Sequence, residues 1–276
     1  MFLPQPETNA GRAALDALLK APRQAMAAFD FDGTLAPIVA DPRASAPYPG
    51  IVEKVVDLAG LLGSIAVVTG RPAETAVHLG GLDRVPGITV LGHYGAERWA
   101  DGRVVAAPAP PGVDVVREEL PGLLDRLEAP EGTWIEDKGR SLAVHTRRTA
   151  DPDGALALLA PALGALAERA DLRVEPGRMV IELRPQDVDK GSALTALVAE
   201  TGPRTLLYAG DDLGDLPAFE AVVALRSQGI EGINVCSSSE EATAVAKAAD
   251  LVVPGPAGLA ELLDLLIDAL HGSPRG

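Results

Sequence analysis

The stretch Gln24–Ala40, QAMAAFDFDGTLAPIVA, constrains this chain more than any other. Ala25–Phe29 is an uncharged apolar run of strand length that ends where the acids Asp30 and Asp32 begin, the pattern of a strand buried on both faces. On an extended backbone, residues two apart point the same way, so the two carboxylates repel unless a cation or a shared proton lies between them. Gly33 and Thr34 follow as a turn whose free N–H groups and hydroxyl are placed to hold an anion beside that cation. Phosphate chemistry on magnesium is one reading of the stretch. A strand end with two solvated acids before a turn is the other.

A chain of 276 residues with 47% hydrophobic content is long enough for two cores. Its 24 Lys and Arg against 39 Asp and Glu leave a net charge of −15, which argues against nucleic acid or an anionic membrane as the main partner. Cys236 is the one cysteine, so no internal disulfide and no cysteine zinc site is available, and a reducing cytoplasm is the expected location. MFLPQPETNAGRAALDALLK lacks the basic start and apolar core of a signal peptide, and no apolar run reaches the length of a membrane span.

Strands and helices alternate around the opening stretch. A lead helix over Gly11–Lys20, a Pro-rich loop through Pro37–Pro49 and a helix over Ile51–Leu62 are expected. A strand over Ser64–Thr69 then leads to a helix from Pro72, and a strand over Ile88–Leu91 to a hairpin around Asp101-Gly102. This order predicts an α/β, Rossmann-like parallel-sheet core covered on both faces, with ligands at the strand C-terminal ends. The break PAPPG, Pro108–Gly112, opens a region that reads helix, strand, strand twice over, an α+β module inserted into the core. The expected division is residues 1–110 plus 185–276 for the core and 111–184 for the insert. After the return come a helix from Lys190, a strand over Thr205–Tyr208, short strands at Gly232–Val235 and Leu251–Val253, and a final helix over Ala257–Leu270.

Further candidates gather at the expected strand tips. Thr69 offers a hydroxyl beside Gly70 and Arg71, though a threonine before glycine is also a common turn. Lys190 opens a helix, where a cation opposes the helix dipole unless an anion is near. Asp211, Asp212 and Asp215 crowd the end of an apolar strand, an arrangement that calls for a cation.

FDFDGTLA, VVTGRP, DKG and YAGDDLGD, in that order and spacing, resemble the four motifs of the haloacid dehalogenase superfamily. GHYGAE, WIEDKGRSLAVHTR and RMVIELRPQDVDKG extend the resemblance to the trehalose-6-phosphate phosphatases, from about Gln24 to Val253. One departure is Leu216, where that family usually carries an acid.

The resemblance implies a hydrolase core with an inserted cap and a magnesium-dependent hydrolysis of trehalose 6-phosphate in trehalose biosynthesis. It makes Asp30 the nucleophile, Asp32 the general acid and base, and Lys190 and Thr69 the holders of the transferred phosphoryl group. Mg2+ would be bound by Asp30, the Asp32 carbonyl and Asp211, with Asp212 or Asp215 acting directly or through water. Phosphate contacts are expected from Gly33, Thr34, Gly70 and Arg71. Sugar contacts are expected from Glu136, Lys138, Arg140, Ser141, His145, Arg147, Arg178 and Glu182, for which a solvated strand face is the plainer alternative. Glu182 stands out because an acid inside the apolar run Met179–Leu183 needs a partner; Arg178 or Arg184 is the expected ion-pair alternative.

A phosphatase of sucrose 6-phosphate or mannosyl-3-phosphoglycerate would share all four motifs, and a phosphosugar mutase would return the phosphoryl group to sugar. No G-x-G-x-x-G follows a strand, which disfavours a dinucleotide-binding dehydrogenase. The expected partner is a small sugar phosphate, bound by a monomer.

Overall fold

The computed structural model describes residues 3–39, 41–106, 108–186, 188–238 and 243–272. Ala40, which closes the opening stretch, and Asp187, in the return segment, lie outside the described residues. In chain order the first part holds α1 (Asn9–Lys20), β1 (Ala25–Phe29), α2 (Ile51–Leu61), β2 (Ser64–Val68), α3 (Ala73–Gly80), β3 (Thr89–Gly92), β4 (Glu97–Ala100) and β5 (Arg103–Ala106). The middle part holds α4 (Pro111–Arg126), β6 (Trp134–Asp137), β7 (Leu142–His145), α5 (Pro152–Arg169), β8 (Leu172–Gly177) and β9 (Val180–Pro185). The last holds α6 (Lys190–Thr201), β10 (Thr205–Gly210), α7 (Leu216–Arg226), β11 (Glu231–Ser237), α8 (Thr243–Ala248), β12 (Leu251–Val253) and α9 (Gly255–Gly272).

Two compact units result, Met1–Ala106 with Asp189–Gly276, and Ala107–Val188. The return segment belongs to the second unit, beyond the boundary at residue 184 expected from sequence, because β9 continues to Pro185 opposite Leu172 and Arg184 donates to the carbonyl of Val188.

The first unit is an eight-stranded sheet in the order β12-β11-β10-β1-β2-β3-β4-β5. Strands β12 through β3 run parallel, and β4 and β5 add an antiparallel hairpin. Asp101 and Gly102 turn that hairpin with φ of 51° and 73°, the two left-handed residues that a tight hairpin turn requires. The five residues of β1 are all buried, and their alternation feeds both faces. Ala25, Ala27 and Phe29 join the core under α1, α2, α3 and α9, while Met26 and Ala28 join the core under α6 and α7.

From β1 the chain builds outward through β2 and β3, then returns to the other side through β10 and β11. β1 therefore flanks the point where strand order reverses, and the loops after β1 and β10 border the crevice where ligands bind in such sheets. Cys236 lies on β11 opposite Gly210 at the end of β10, fully buried. Helix α7 was not anticipated; its signal is Pro217 in the first turn and the buried stripe Phe219, Val222 and Leu225.

The second unit is a four-stranded antiparallel sheet, β6-β7-β9-β8. One face packs Leu142, Val144, Ile181 and Leu183 against α4 and α5. On the opposite face, Glu136, Ala143, Glu182 and Glu175 form one rung across all four strands. The neighbouring rung carries the cations: Lys138 beside Ser141, and Arg184 opposite Arg173. Acid and base rungs are cross-linked, Lys138 and Ser141 to Glu182, Arg173 and Arg184 to Glu175. Among the described residues, no helix is long and apolar enough to cross a membrane.

Candidate active site

The end of β1 delivers Asp30 to a buried position, with its N–H bonded to the Ala209 carbonyl of β10 at 2.8 Å. The strand stops at Phe29, so the alternation expected to put Asp30 and Asp32 on one side does not apply beyond it. The two carboxylates part: Asp30 meets Lys190, and Asp32 meets Arg71. The following turn is tight. Gly33, at φ 80°, donates its N–H to Ala36 O at 2.7 Å, so that donor closes the turn rather than facing an anion. A side chain at Gly33 would put a Cβ 1.9 Å from Asp211 Oδ2. The Thr34 hydroxyl likewise turns to Asp211 Oδ1, 3.4 Å away, instead of to an open anion site.

Lys190 is the first residue of α6, whose N-cap Asp189 accepts from Ser192 N–H at 2.7 Å. Its Nζ donates to Asp215 Oδ1 at 2.7 Å and lies 2.8 Å from Asp30 Oδ1. Burial opposes its charge, but Asp215 and Asp30 outweigh that and hold the ammonium well above the ordinary lysine value. Asp215, fully buried, accepts four donors: Lys190 and Tyr208 OH at Oδ1, and the N–H groups of Asp211 and Asp212 at Oδ2. Four donors fill a carboxylate's lone pairs. Asp215 thus anchors the lysine and the β10 loop. Asp212 is exposed and accepts from Gly214 N–H at 2.9 Å.

Oxygens of Asp30, Asp211 and Asp215 can all lie within 4.8 Å of one another. Burial, and then the charges of Asp30, Asp215 and Asp212, push the Asp211 carboxyl up to about 10. One lysine cannot balance these acids, so the cluster demands a proton or a cation. Buried all-oxygen donors suit a hard divalent ion, and with Asp215 saturated, Asp30 and Asp211 are the carboxylates left to hold it.

Thr69 follows β2, buried, with its Oγ1 accepting from Arg71 N–H at 3.1 Å. GHYGAE proves to be its clamp. His93, Tyr94 and Gly95 are left-handed in succession, at φ 48°, 59° and 105°. That run aims the His93 N–H at Arg71 O and the Tyr94 N–H at Thr69 O, at 2.8 and 2.9 Å. A Cβ at Gly70 would stand 2.7 Å from the Tyr94 ring, so a side chain there would push the end of the tyrosine aside.

In the second unit, His145 Nε2 is 2.8 Å from Glu136 Oε2. Trp134 stacks on His145 with centroids 4.2 Å apart, and the Arg148 guanidinium covers Trp134 at 4.4 Å. Glu182 is bonded by Lys138 Nζ at 2.7 Å and Ser141 Oγ at 2.6 Å, so its partner is Lys138, in place of the expected Arg178 or Arg184. Arg140 reaches Pro108 O at 3.4 Å. Arg147 is half-buried in the turn after β7, and Arg178 is exposed in the β8–β9 turn. Sequence reasoning missed Tyr208 and Ser45; the first hides in an apolar strand and the second in a Pro-rich loop.

The trehalose-phosphatase family model matches residues 28–253. The chain belongs to the trehalose-phosphatase family. It is 36% identical over 265 residues to the trehalose-phosphate phosphatase of Mycobacterium marinum, across 91% of this chain and 63% of that protein. The corresponding Mycobacterium tuberculosis protein is 35% identical over 264 residues, with coverage of 91% and 63%. The chain thus spans a little under two thirds of these relatives' length. The C-terminal domain of the Candida albicans trehalose-6-phosphate phosphatase superposes with a TM-score of 0.76 at 24% identity, covering 96% of this chain and 99% of that one. A haloacid dehalogenase-like hydrolase from Bacteroides thetaiotaomicron gives 0.59 at 16% identity, over 87% and 98%. The trehalose-phosphatase fold is therefore of the haloacid dehalogenase type, with a parallel-sheet core and an α+β insert. This family member carries Leu216 half-buried against the core under α6 and α7, at the α7 start.

Proposed function

We propose that the chain is a phosphatase that hydrolyses trehalose 6-phosphate to trehalose and phosphate through an aspartyl-phosphate on Asp30. The observation that supports it most is the buried constellation of Asp30, Lys190, Asp211 and Asp215 beside the strand-order reversal. Asp30 and Asp211, with the Asp32 carbonyl, would hold Mg2+, which when bound supplies charge neutralisation and alignment for a phosphate.

Asp30 attacks phosphorus as the bond to the sugar oxygen breaks. Asp32, protonated before the attack, gives that proton to the departing oxygen, then takes one from the water that hydrolyses the acyl phosphate and frees Asp30. Lys190, charged and fixed by Asp215, holds a phosphoryl oxygen together with Thr69. Sugar recognition is assigned to the polar face of the second unit, where Glu136 and Glu182 accept from hydroxyls and Lys138 donates. Cys236, buried with a free thiol, is in keeping with a reducing compartment such as the cytoplasm.

Phosphate release measured across trehalose, sucrose and other sugar phosphates, with and without Mg2+, tests this reading. Preference for another ester would reassign the substrate, and a bisphosphate product without free phosphate would make the protein a mutase.

A further inference from the structure

Asp32 is gripped. Arg71 lays its guanidinium along the carboxylate, Nε donating to Oδ2 at 2.5 Å and Nη2 to Oδ1 at 2.6 Å, and Ser45 Oγ adds a bond to Oδ1 at 3.2 Å. A planar guanidinium matches a carboxylate with two parallel N–H bonds. An exposed pair of this kind would swing, but here the arginine is itself fixed. Its Nη1 donates to Pro42 O at 2.9 Å, its backbone N–H and carbonyl are bound by Thr69 and His93 as described, and its guanidinium carbon lies 5.6 Å from the Phe31 ring centroid. The Arg71 side chain is 15% exposed, that of Asp32 37%, and Ser45 is buried. Both ends of the fork are spent on Asp32 and the remaining nitrogen on Pro42, which leaves the arginine poorly disposed to be a loose phosphate ligand.

We propose that Arg71, helped by Ser45, is a positioning residue for Asp32, so that Arg71 and the Pro-rich loop serve proton transfer, while Thr69 in the same turn is left to the phosphoryl group. The inference rests on the assignment of Asp32 as general acid and base.

Phenyl phosphate and p-nitrophenyl phosphate test it. They are similar in size and carry no sugar, but the nitrophenolate departs readily without a proton while the phenolate needs one. In the full chain with Mg2+, Arg71→Ala is expected to lower kcat on phenyl phosphate about 10-fold more than on p-nitrophenyl phosphate, a fraction of the full general-acid effect, with KM changed by less than about twofold. In an Asp32→Asn background, the same substitution should cost nothing further, because the group it positions is gone. Ser45→Ala should show the same leaving-group signature at smaller size, and it serves where Arg71→Ala lowers the melting temperature by freeing Pro42. Arg71→Lys keeps the charge without the fork and should behave like Arg71→Ala; full rescue by lysine would overturn the two-point grip. Equal losses on both esters, a raised KM, or a cost that persists in Asp32→Asn would overturn the proposal and return Arg71 to the phosphate. If Asp32→Asn itself treats both esters alike, the proton-transfer assignment fails instead, an outcome distinct from additivity of the two substitutions.

Discussion

The hydroxyl of Tyr208, fully buried on β10, donates to Asp215 Oδ1 at 2.6 Å, on the same oxygen that receives Lys190. Tyr208→Phe keeps the edge-on packing against Phe219, whose ring lies 5.9 Å away, and removes only the donor. Leaving a buried acceptor short of a partner costs about 1–3 kcal/mol. Equilibrium denaturation should register a loss of that size, with phosphate release falling several-fold as Lys190 loosens. Unchanged stability and activity would mean that the hydroxyl contributes nothing to the anchor.

Asp30→Asn is expected to reduce phosphate release to a trace while the protein stays folded. The amide has nearly the same shape but does not attack phosphorus, and Lys190 keeps Asp215 as its partner. In the absence of Mg2+, the variant should melt no lower than the wild type, since one of several crowded buried charges is gone. Substantial turnover by a folded variant would remove Asp30 from the nucleophile's role.

The fold was legible where apolar runs met chemistry, as at β1 and β10, whose buried strands run straight into Asp30 and Asp211. Lys190 was legible because a cation at a helix start asks for an anion. What stayed hidden depends on register and loop closure. Glu182 finds Lys138 and Ser141 because Ala143 pairs opposite Glu182, a fact of strand register that no local pattern carries. Arg71 finds Asp32 across 39 positions of chain, through a turn fixed by GHYGAE. The parting of Asp30 and Asp32 was invisible because the strand's alternation was carried past Phe29, its expected and observed end, into a turn whose course no local pattern gives.

Metal binding should couple stability to pH. The folded-state value of Asp211 lies at about 10, against about 3.9 for an unfolded aspartate. Its neutral form therefore favours folding below about pH 4, and that contribution drains away as pH climbs towards the folded value. A divalent cation takes the proton's place. Millimolar Mg2+ should raise the melting temperature more at about pH 8 than at about pH 6, because less proton competes. Equal shifts by differential scanning fluorimetry at the two pH values would place the ion elsewhere.

Selectivity should reside in the polar face of the second unit. Glu182→Gln keeps an acceptor for Ser141 but breaks the ion pair with Lys138, and Lys138→Ala removes the partner outright. Buried polar groups left unmatched by the sugar cost about 1–3 kcal/mol each, so hydrolysis of trehalose 6-phosphate should fall about 10-fold or more relative to p-nitrophenyl phosphate. Matching losses on both esters, together with a lowered melting temperature, would make the pair structural.

The single thiol of Cys236 has a use that its burial creates. It lies opposite Gly210, directly behind the acids that follow β10, and burial, then the charges of Asp211 and Asp215, push it up to about 11. A thiol so protonated and enclosed is inert towards alkylating reagents until the strands around it separate. The rate of its labelling in native buffer then reports how much of the time the sheet at the catalytic crevice stands open, read by mass spectrometry without any engineered probe, and a cation seated on Asp211 should lower it.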